Sequence, residues 1–210
     1  FSEEIMKVLI LNGSPRNNGN TTLAIKEIEN EFKKNYVDYE TIQVGQLSIR
    51  GCIACNKCSE LNKCIFDDIV NEIAIKFKEA DGLIIASPVY YASANGTLIN
   101  LLQRLFYSTN FDKSMKVGCS VVVARRGGCS ATFDELNKFF TISNMPIVSS
   151  TYWNSVHGRK VGEASLDLEG LQTMRNLARN MIFLMKSIQL SKEKFGLPIL
   201  DKGNYTNFIK

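Results

Sequence analysis

Apolar and polar positions alternate along this chain in blocks that predict strand, helix, strand, helix. Short apolar runs predict strands that are covered on both faces. Between them, apolar residues recur three and four positions apart, which predicts amphipathic helices. The expected strands are Met6–Leu11, Tyr39–Val44, Gly82–Ser87, Lys116–Ala124 and Pro146–Ser149. The expected helices are Thr21–Lys34, a segment that begins at Asp67-Asp68, Asn95–Tyr107, Ala131–Thr141 and Leu168–Leu190.

This alternation predicts an α/β fold, a doubly wound parallel sheet of five strands with helices on both faces. A polar loop rich in Gly and Asn follows the first strand, where such sheets bind phosphates. Its position favours the flavodoxin-like strand order 2-1-3-4-5 in a three-layer α/β/α arrangement. We expect Pro88 to end the third strand, because proline cannot donate a ladder hydrogen bond.

The 210 residues are expected to form one domain over residues 6–190. Met6 resembles a natural start, so residues 1–5 are interpreted as an extension. Residues 191–210 are polar and are expected to form an irregular tail.

Charge and composition exclude some classes of function. The net charge is +4 and the basic residues are scattered, so we expect no nucleic-acid partner. No apolar run is long enough for a membrane span, and we expect a cytoplasmic protein. In that compartment six cysteines indicate thiol, metal or redox chemistry and not a disulfide framework.

The first candidate site is the loop LNGSPRNNGNTT, which covers residues 11–22. Free N–H groups at a helix N-terminus form an anion site, and glycines allow close approach. The loop is not a P-loop, because five residues separate Gly13 from Gly19 and Asn20 replaces the lysine. It also lacks the third glycine of the dinucleotide fingerprint. The expected ligands of a monophosphate are Ser14, Arg16, Asn20, Thr21 and Thr22; an ordinary turn is the alternative.

This loop resembles the phosphate loop of NAD(P)H-dependent FMN reductases in the flavodoxin-like class. A second segment, SPVYYASANG at residues 87–96, resembles the same family's loop around the isoalloxazine ring. It leaves the third strand at the switch point where such sheets bind ligands. The resemblance implies FMN contacts from Pro88, Val89, Tyr90, Tyr91, Ala92 and Ser93.

A third loop follows the fourth strand and contains two arginines and two glycines at residues 125–128. By position, Arg125 and Gly127 are expected beside the pyrimidine side of the ring, where positive charge stabilises reduced flavin. An exposed basic turn is an equally good interpretation.

Four cysteines fall within a short loop at residues 51–66, at Cys52, Cys55, Cys58 and Cys64. Thiolates at this spacing can converge on one [4Fe–4S] cluster. The spacing resembles that of iron–sulfur flavoproteins, which carry FMN and such a cluster in one domain. Free or redox-active thiols and a zinc site remain open as alternatives. Cys119 and Cys129 are expected to serve in packing.

The resemblance implies an FMN-dependent oxidoreductase with no catalytic acid or base of its own. Electrons would come from NAD(P)H as cosubstrate, or from ferredoxin, and pass to a small acceptor such as a quinone or flavin. An electron carrier without a substrate pocket is the alternative, and a cofactor-free regulatory domain with zinc is a third. The resemblance also implies a homodimer or homotetramer, in which the loop Thr151–Val161 covers a neighbouring subunit's flavin; a packed surface loop is the alternative. His157, the single histidine, is more simply part of that loop.

Overall fold

The structure, a computed structural model, describes residues 5–201, 203–206 and 208–209. Its sheet contains five parallel strands in the order β2-β1-β3-β5-β6, and a short strand β4 pairs antiparallel with the end of β3. Among the parallel strands this is the predicted order 2-1-3-4-5. The strands are β1 (Lys7–Asn12), β2 (Asp38–Gln43), β3 (Gly82–Tyr90), β4 (Ser93–Ala94), β5 (Val117–Ala124) and β6 (Ser155–His157).

Helices cover both faces of the sheet, as the alternation predicted. They are α1 (Asn20–Lys34), α2 (Cys58–Leu61), α3 (Ile69–Glu79), α4 (Gly96–Ser108), α5 (Cys129–Thr141) and α6 (Leu168–Phe195), with a 3₁₀ turn at Glu163–Leu166. Alternate strand residues point to opposite faces. Val8 and Ile10 therefore join the core under α1 and α6, whereas Leu9 and Leu11 join the core under α3, α4 and α5.

The third strand does not end at Pro88 and continues to Tyr90, so the expected stop was wrong. The pairing with β1 ends at Ala86, whereas Pro88 still lies opposite Val123 of β5. At Pro88 the strand has a neighbour on one side only, so the missing N–H breaks no ladder.

The fifth parallel strand is Ser155–His157, and the expected strand Pro146–Ser149 was wrong. Ile147 makes only an isolated bridge to Gly118. The side-chain amide of Asn154 donates to the carbonyl of Ser120 (3.0 Å), and the backbone carbonyl of Asn154 accepts from the N–H of Val122 (2.9 Å). These bonds place the following three residues beside β5, although they form no apolar run.

The last helix extends beyond the expected end at Leu190. It continues to Phe195, and Gly196 ends it with a φ of +75°. Residues 191–195 therefore belong to the helix and not to an irregular tail. Residues 1–4 of the expected extension, with residues 202, 207 and 210, lie outside the described residues. Within the described part of the chain, no helix is long and apolar enough to cross a membrane.

Candidate functional site

Three loops meet at the carboxyl edge of the sheet, because β1, β3 and β5 are adjacent and parallel. The N–H of Gly13 donates to the carbonyl of Ala86 (2.7 Å), which ties the first loop to β3. A Cβ on Gly13 would lie 2.6 Å from the side chain of Leu98, so this close approach requires glycine. The predicted phosphate and ring loops are therefore neighbours in space.

Ser14 and Arg16 shape the first turn of the phosphate loop. The hydroxyl of Ser14 is buried, accepts from the N–H of Arg16 (3.1 Å) and lies 3.3 Å from its carbonyl. The N–H of Ser14 donates to the side chain of Asn12 (3.0 Å). Arg16 is exposed, so its guanidinium is accessible to an anion at the mouth of the loop.

Helix α1 begins directly after this loop, and no side chain caps it at Gly19. The first N–H groups of a helix have no partner within the helix, so they are available to an anion. Thr21 is buried in this first turn. The hydroxyl of Thr22 donates to the carbonyl of Asn17 (2.8 Å) and braces the loop.

The side chain of Asn20 is engaged away from the phosphate loop. Its amide nitrogen donates to the carbonyl of Lys160 (2.9 Å), and its oxygen accepts from the N–H groups of Gly162 and Ala164. Asn20 therefore anchors the segment after β6 to the start of α1. What it offers an anion is its backbone N–H.

The second loop is a tight hairpin between β3 and β4. Tyr91 and Ala92 form its tip with φ values of +51° and +60°, in the left-handed region. The tip is fixed by Glu135 of α5, whose carboxylate accepts from the Ser93 hydroxyl (2.9 Å) and the Ala94 N–H (2.8 Å). Tyr91 is fully exposed and Tyr90 is 44% exposed, so both aromatic rings are accessible.

The third loop lies against this hairpin. A Cβ on Gly128, whose φ is +90°, would lie 2.9 Å from both the backbone of Ala92 and the side chain of Val89. Arg125 is exposed at the end of β5, and Gly127 faces open space. The structure thus brings together the three loops that the sequence singled out.

These loops fit FMN by their chemistry. An uncapped helix N-terminus with a nearby arginine suits a phosphate, and exposed aromatic rings on a rigid hairpin suit a flat ring system. The contact residues named for FMN stay a prediction.

A cluster of three side chains adjoins the third loop. The sulfur of Cys129 lies 3.8 Å from Nε2 of His157, and Nδ1 of His157 lies 3.5 Å from the Asp167 carboxylate. Burial raises the pKa of the Cys129 thiol, so it is protonated near neutral pH. Asp167 also accepts from the N–H of Gly170 (2.9 Å) and caps α6. The packing role expected for Cys129 stays a prediction.

The four cysteines of residues 51–66 line one recess beside the end of α4. The recess has a cavity volume of about 20 Å³ and is open in part to solvent. All four thiols are free of disulfide bonds. In the described residues, no group of three or more His, Cys, Asp or Glu side chains is arranged to hold a single metal ion. The four thiols are soft donors of the type that iron–sulfur groups use, and they line one recess, so the donor set fits such a group by its chemistry.

Arg104 of α4 lines this recess. It is 1% exposed and forms a two-pronged pair with Asp68 (2.7 and 2.9 Å). Its Nε–H points at the sulfur of Cys64 (3.2 Å). Burial opposes its charge, but the hydrogen bonds to Asp68 and Cys64 outweigh this and raise its pKa.

Sequence reasoning missed Arg104 and Glu135. Arg104 occupies an apolar face of α4 between Leu101 and Leu105, and a charge at such a position was the available signal. Glu135 gave no signal, because one glutamate on an amphipathic helix is ordinary.

Most of this chain is similar to proteins of one known family. Residues 6–160 match the family described as NADPH-dependent FMN reductase. An iron–sulfur flavoprotein of Methanocaldococcus jannaschii is 36% identical over 192 residues, which cover 88% of this chain and 100% of that protein. An iron–sulfur flavoprotein of Methanosarcina thermophila is 28% identical, over 90% of this chain and 100% of that one.

Solved structures support the fold. RosB with a bound 8-demethyl-8-formylriboflavin-5'-phosphate intermediate has a TM-score of 0.71 at 15% identity, over 97% of this chain and 93% of that chain. An NAD(P)H:quinone oxidoreductase from Methanothermobacter marburgensis has a TM-score of 0.67 at 15% identity, over 85% and 96%. A flavodoxin from the Archaea matches with a TM-score of 0.58 at 14% identity, over 86% and 99%. The flavodoxin-like fold is confirmed.

Proposed function

Because the chain belongs to the NADPH-dependent FMN reductase family, and within it resembles iron–sulfur flavoproteins over nearly its whole length, we propose that it is an FMN-dependent oxidoreductase. It takes electrons from NAD(P)H and passes them to a small acceptor such as a quinone or flavin. The observation that carries this proposal is the uncapped start of α1 beside the rigid β3–β4 hairpin.

The residues of the chain bind and orient. The N–H groups at the start of α1, together with Arg16, would hold the phosphate. The backbone of residues 88–93 would line one side of the ring, and Arg125 would add positive charge near its polar edge. Bound FMN supplies the hydride chemistry, so the protein needs no acid–base residue at this site.

The cysteine recess supports a second part of the proposal, a [4Fe–4S] cluster on Cys52, Cys55, Cys58 and Cys64. Support comes from four free thiols around one recess and from the similarity to iron–sulfur flavoproteins. A cluster supplies one-electron chemistry, which would let the protein receive electrons from a ferredoxin as well.

The same similarity favours one alternative, an electron carrier that serves protein partners and has no small substrate. Both functions require FMN, so they differ in turnover and not in cofactor. Steady oxidation of NADPH with a quinone present supports the reductase, and its absence with both pyridine nucleotides supports the carrier.

Self-association is also proposed. Phe183 of α6 is 73% exposed, and Tyr152 and Trp153 are exposed neighbours whose rings are 5.2 Å apart. Exposed aromatic side chains of this kind are common at interfaces between subunits. Sedimentation of the purified protein tests for a dimer or tetramer, and a monomer at micromolar concentration rejects it.

Cofactor content is tested on the whole chain under anaerobic conditions. FMN is titrated into the apoprotein, and iron and sulfide are measured after reconstitution. We expect one FMN per chain, and four irons that are lost in Cys58→Ser. Cys119→Ser is the matched control, because Cys119 is fully buried in the core away from the recess. A chain that binds no FMN rejects the function, whereas FMN without iron rejects only the cluster.

A further inference from the structure

Two polar groups occupy buried positions beside the cysteine recess. The first is Arg104, which occupies a buried position on a helix face that otherwise carries leucines. Burying a guanidinium is costly, and leucine or methionine would pack there without that cost. The second is Ser108, one helical turn later on the same face.

The hydroxyl of Ser108 is buried without a partner. Its residue is 5% exposed, and its Oγ is the one buried side-chain polar atom in the described part of the chain that lacks a hydrogen bond. Ser108 lines the same recess as the four cysteines. A buried hydroxyl without a partner is unfavourable, so such groups in native folds call for a ligand or another cause.

Arg104 directs its Nε–H to the recess and its Nη groups away from it. Its Nη atoms are held by the carboxylate of Asp68, while Nε–H points at the sulfur of Cys64 (3.2 Å). Asp68 also accepts from the N–H of Val70 (3.1 Å), so it is fixed at the start of α3. The guanidinium is thereby held in one orientation, with a donor toward a thiol.

We propose that Arg104 and Ser108 are positioning residues that raise the reduction potential of the [4Fe–4S] cluster by donating hydrogen bonds to sulfur atoms in the recess. This inference rests on the cluster of the proposed function. Reduction adds one electron and one negative charge to the cluster, so nearby donors and positive charge stabilise the reduced form. The electron comes from reduced flavin in the protein and from dithionite in a titration.

A substitution at Asp68 should shift the midpoint potential in the opposite direction to one at Arg104. Its carboxylate neutralises part of the charge of Arg104, so Asp68→Asn leaves more positive charge beside the recess. The asparagine oxygen can still accept from Val70 and from the guanidinium. A structural contribution alone predicts no rise in potential from this variant, whereas the proposal predicts one.

The experiment is an anaerobic redox titration of the reconstituted full chain, followed by absorbance and by electron paramagnetic resonance. Arg104→Gln is expected to lower the midpoint potential by a tenfold change in equilibrium constant, about 59 mV for one electron. Ser108→Ala is expected to lower the midpoint potential by a smaller amount, which corresponds to about a threefold change in the same equilibrium constant. Asp68→Asn raises it, and Arg104→Lys retains the charge and recovers part of the loss.

Arg175→Gln is the matched control, because Arg175 pairs with Glu27 under the opposite face of the sheet. Its potential should equal that of the unmodified protein. Variants that bind four irons with unchanged potentials overturn this inference alone. Unmodified protein without iron overturns the cluster and this inference together. If Arg104→Gln does not fold, Ser108→Ala and Asp68→Asn decide the outcome, because Ser108 loses no bond on substitution.

Discussion

Glu31 is a charged residue whose side chain lies inside the fold, at 2% exposure. It accepts from Lys34 (2.7 Å) and from Arg179 of α6 (2.9 Å), so it ties α1 to α6. The hydrogen bonds from Lys34 and Arg179 lower its pKa below the ordinary value of 4.5. A pKa that is lower in the folded state contributes stability above the unfolded pKa, and this is lost as the pH falls through the folded value.

Glu31→Gln should therefore destabilise the protein near neutral pH and have less effect in acid. The loss is about 1.5 kcal/mol, typical of hydrogen bonds to a charged group. Urea unfolding at pH 7 and at several values below 4.5 measures the difference, which should shrink toward zero as the pH falls. Glu193→Gln, on an exposed turn of α6, is the control. A difference that is the same at every pH would contradict a lowered pKa for Glu31.

Among the elements, the start of α1 combines two functions. Its N–H groups are left uncapped by Gly19, while Asn20 uses its side chain to hold residues 160–164. One short segment thus offers an anion site and fixes the loop that follows β6.

Replacing Arg16 with Gln and Thr21 with Ala together should weaken FMN binding by about tenfold, because a charge-assisted contact and a hydroxyl are lost. Riboflavin, which has no phosphate, should bind both proteins equally. Fluorescence titration with each ligand measures this, and circular dichroism checks the fold. Lys26→Gln, on an exposed part of α1, is the matched control. Equal loss for FMN and riboflavin would mean that the loop does not contact the phosphate.

The elements that sequence patterns predicted well are those whose apolar faces are continuous. β1, β5 and α4 were located to within one or two residues, because each buries a regular stripe or run. β6 was missed, because its three residues are held by Asn154 and not by their own hydrophobicity. The extension of β3 past Pro88 depends on where β1 stops, which is information about a neighbouring strand.

In the candidate site, too, some features were predictable from the sequence and others were not. Loop positions followed from strand order, so the three loops could be placed at one edge before any coordinates. The side-chain partners could not be predicted, because Asn20 and Glu135 each bind a residue more than forty positions away in the chain. Such long-range hydrogen bonds leave no periodic trace in a sequence.

At the scale of the whole molecule, α4 connects the two candidate redox sites. Asn95 caps its start next to the ring loop, where its side chain accepts from Thr97 (2.7 Å). Its last two turns contain Arg104 and Ser108 at the cysteine recess. A helix rises about 1.5 Å per residue, so these two ends are roughly 20 Å apart along α4. Changes at either end can therefore be tested separately, each with its own spectrum.

Under the proposed function, bound FMN accepts electrons from a pyridine nucleotide on this chain. Anaerobic mixing of the FMN-loaded protein with NADPH, and separately with NADH, tests it through the flavin absorbance near ~450 nm. We expect at least one nucleotide to bleach this band and a quinone to restore it. A protein that binds FMN and keeps its absorbance with both nucleotides would contradict the claim.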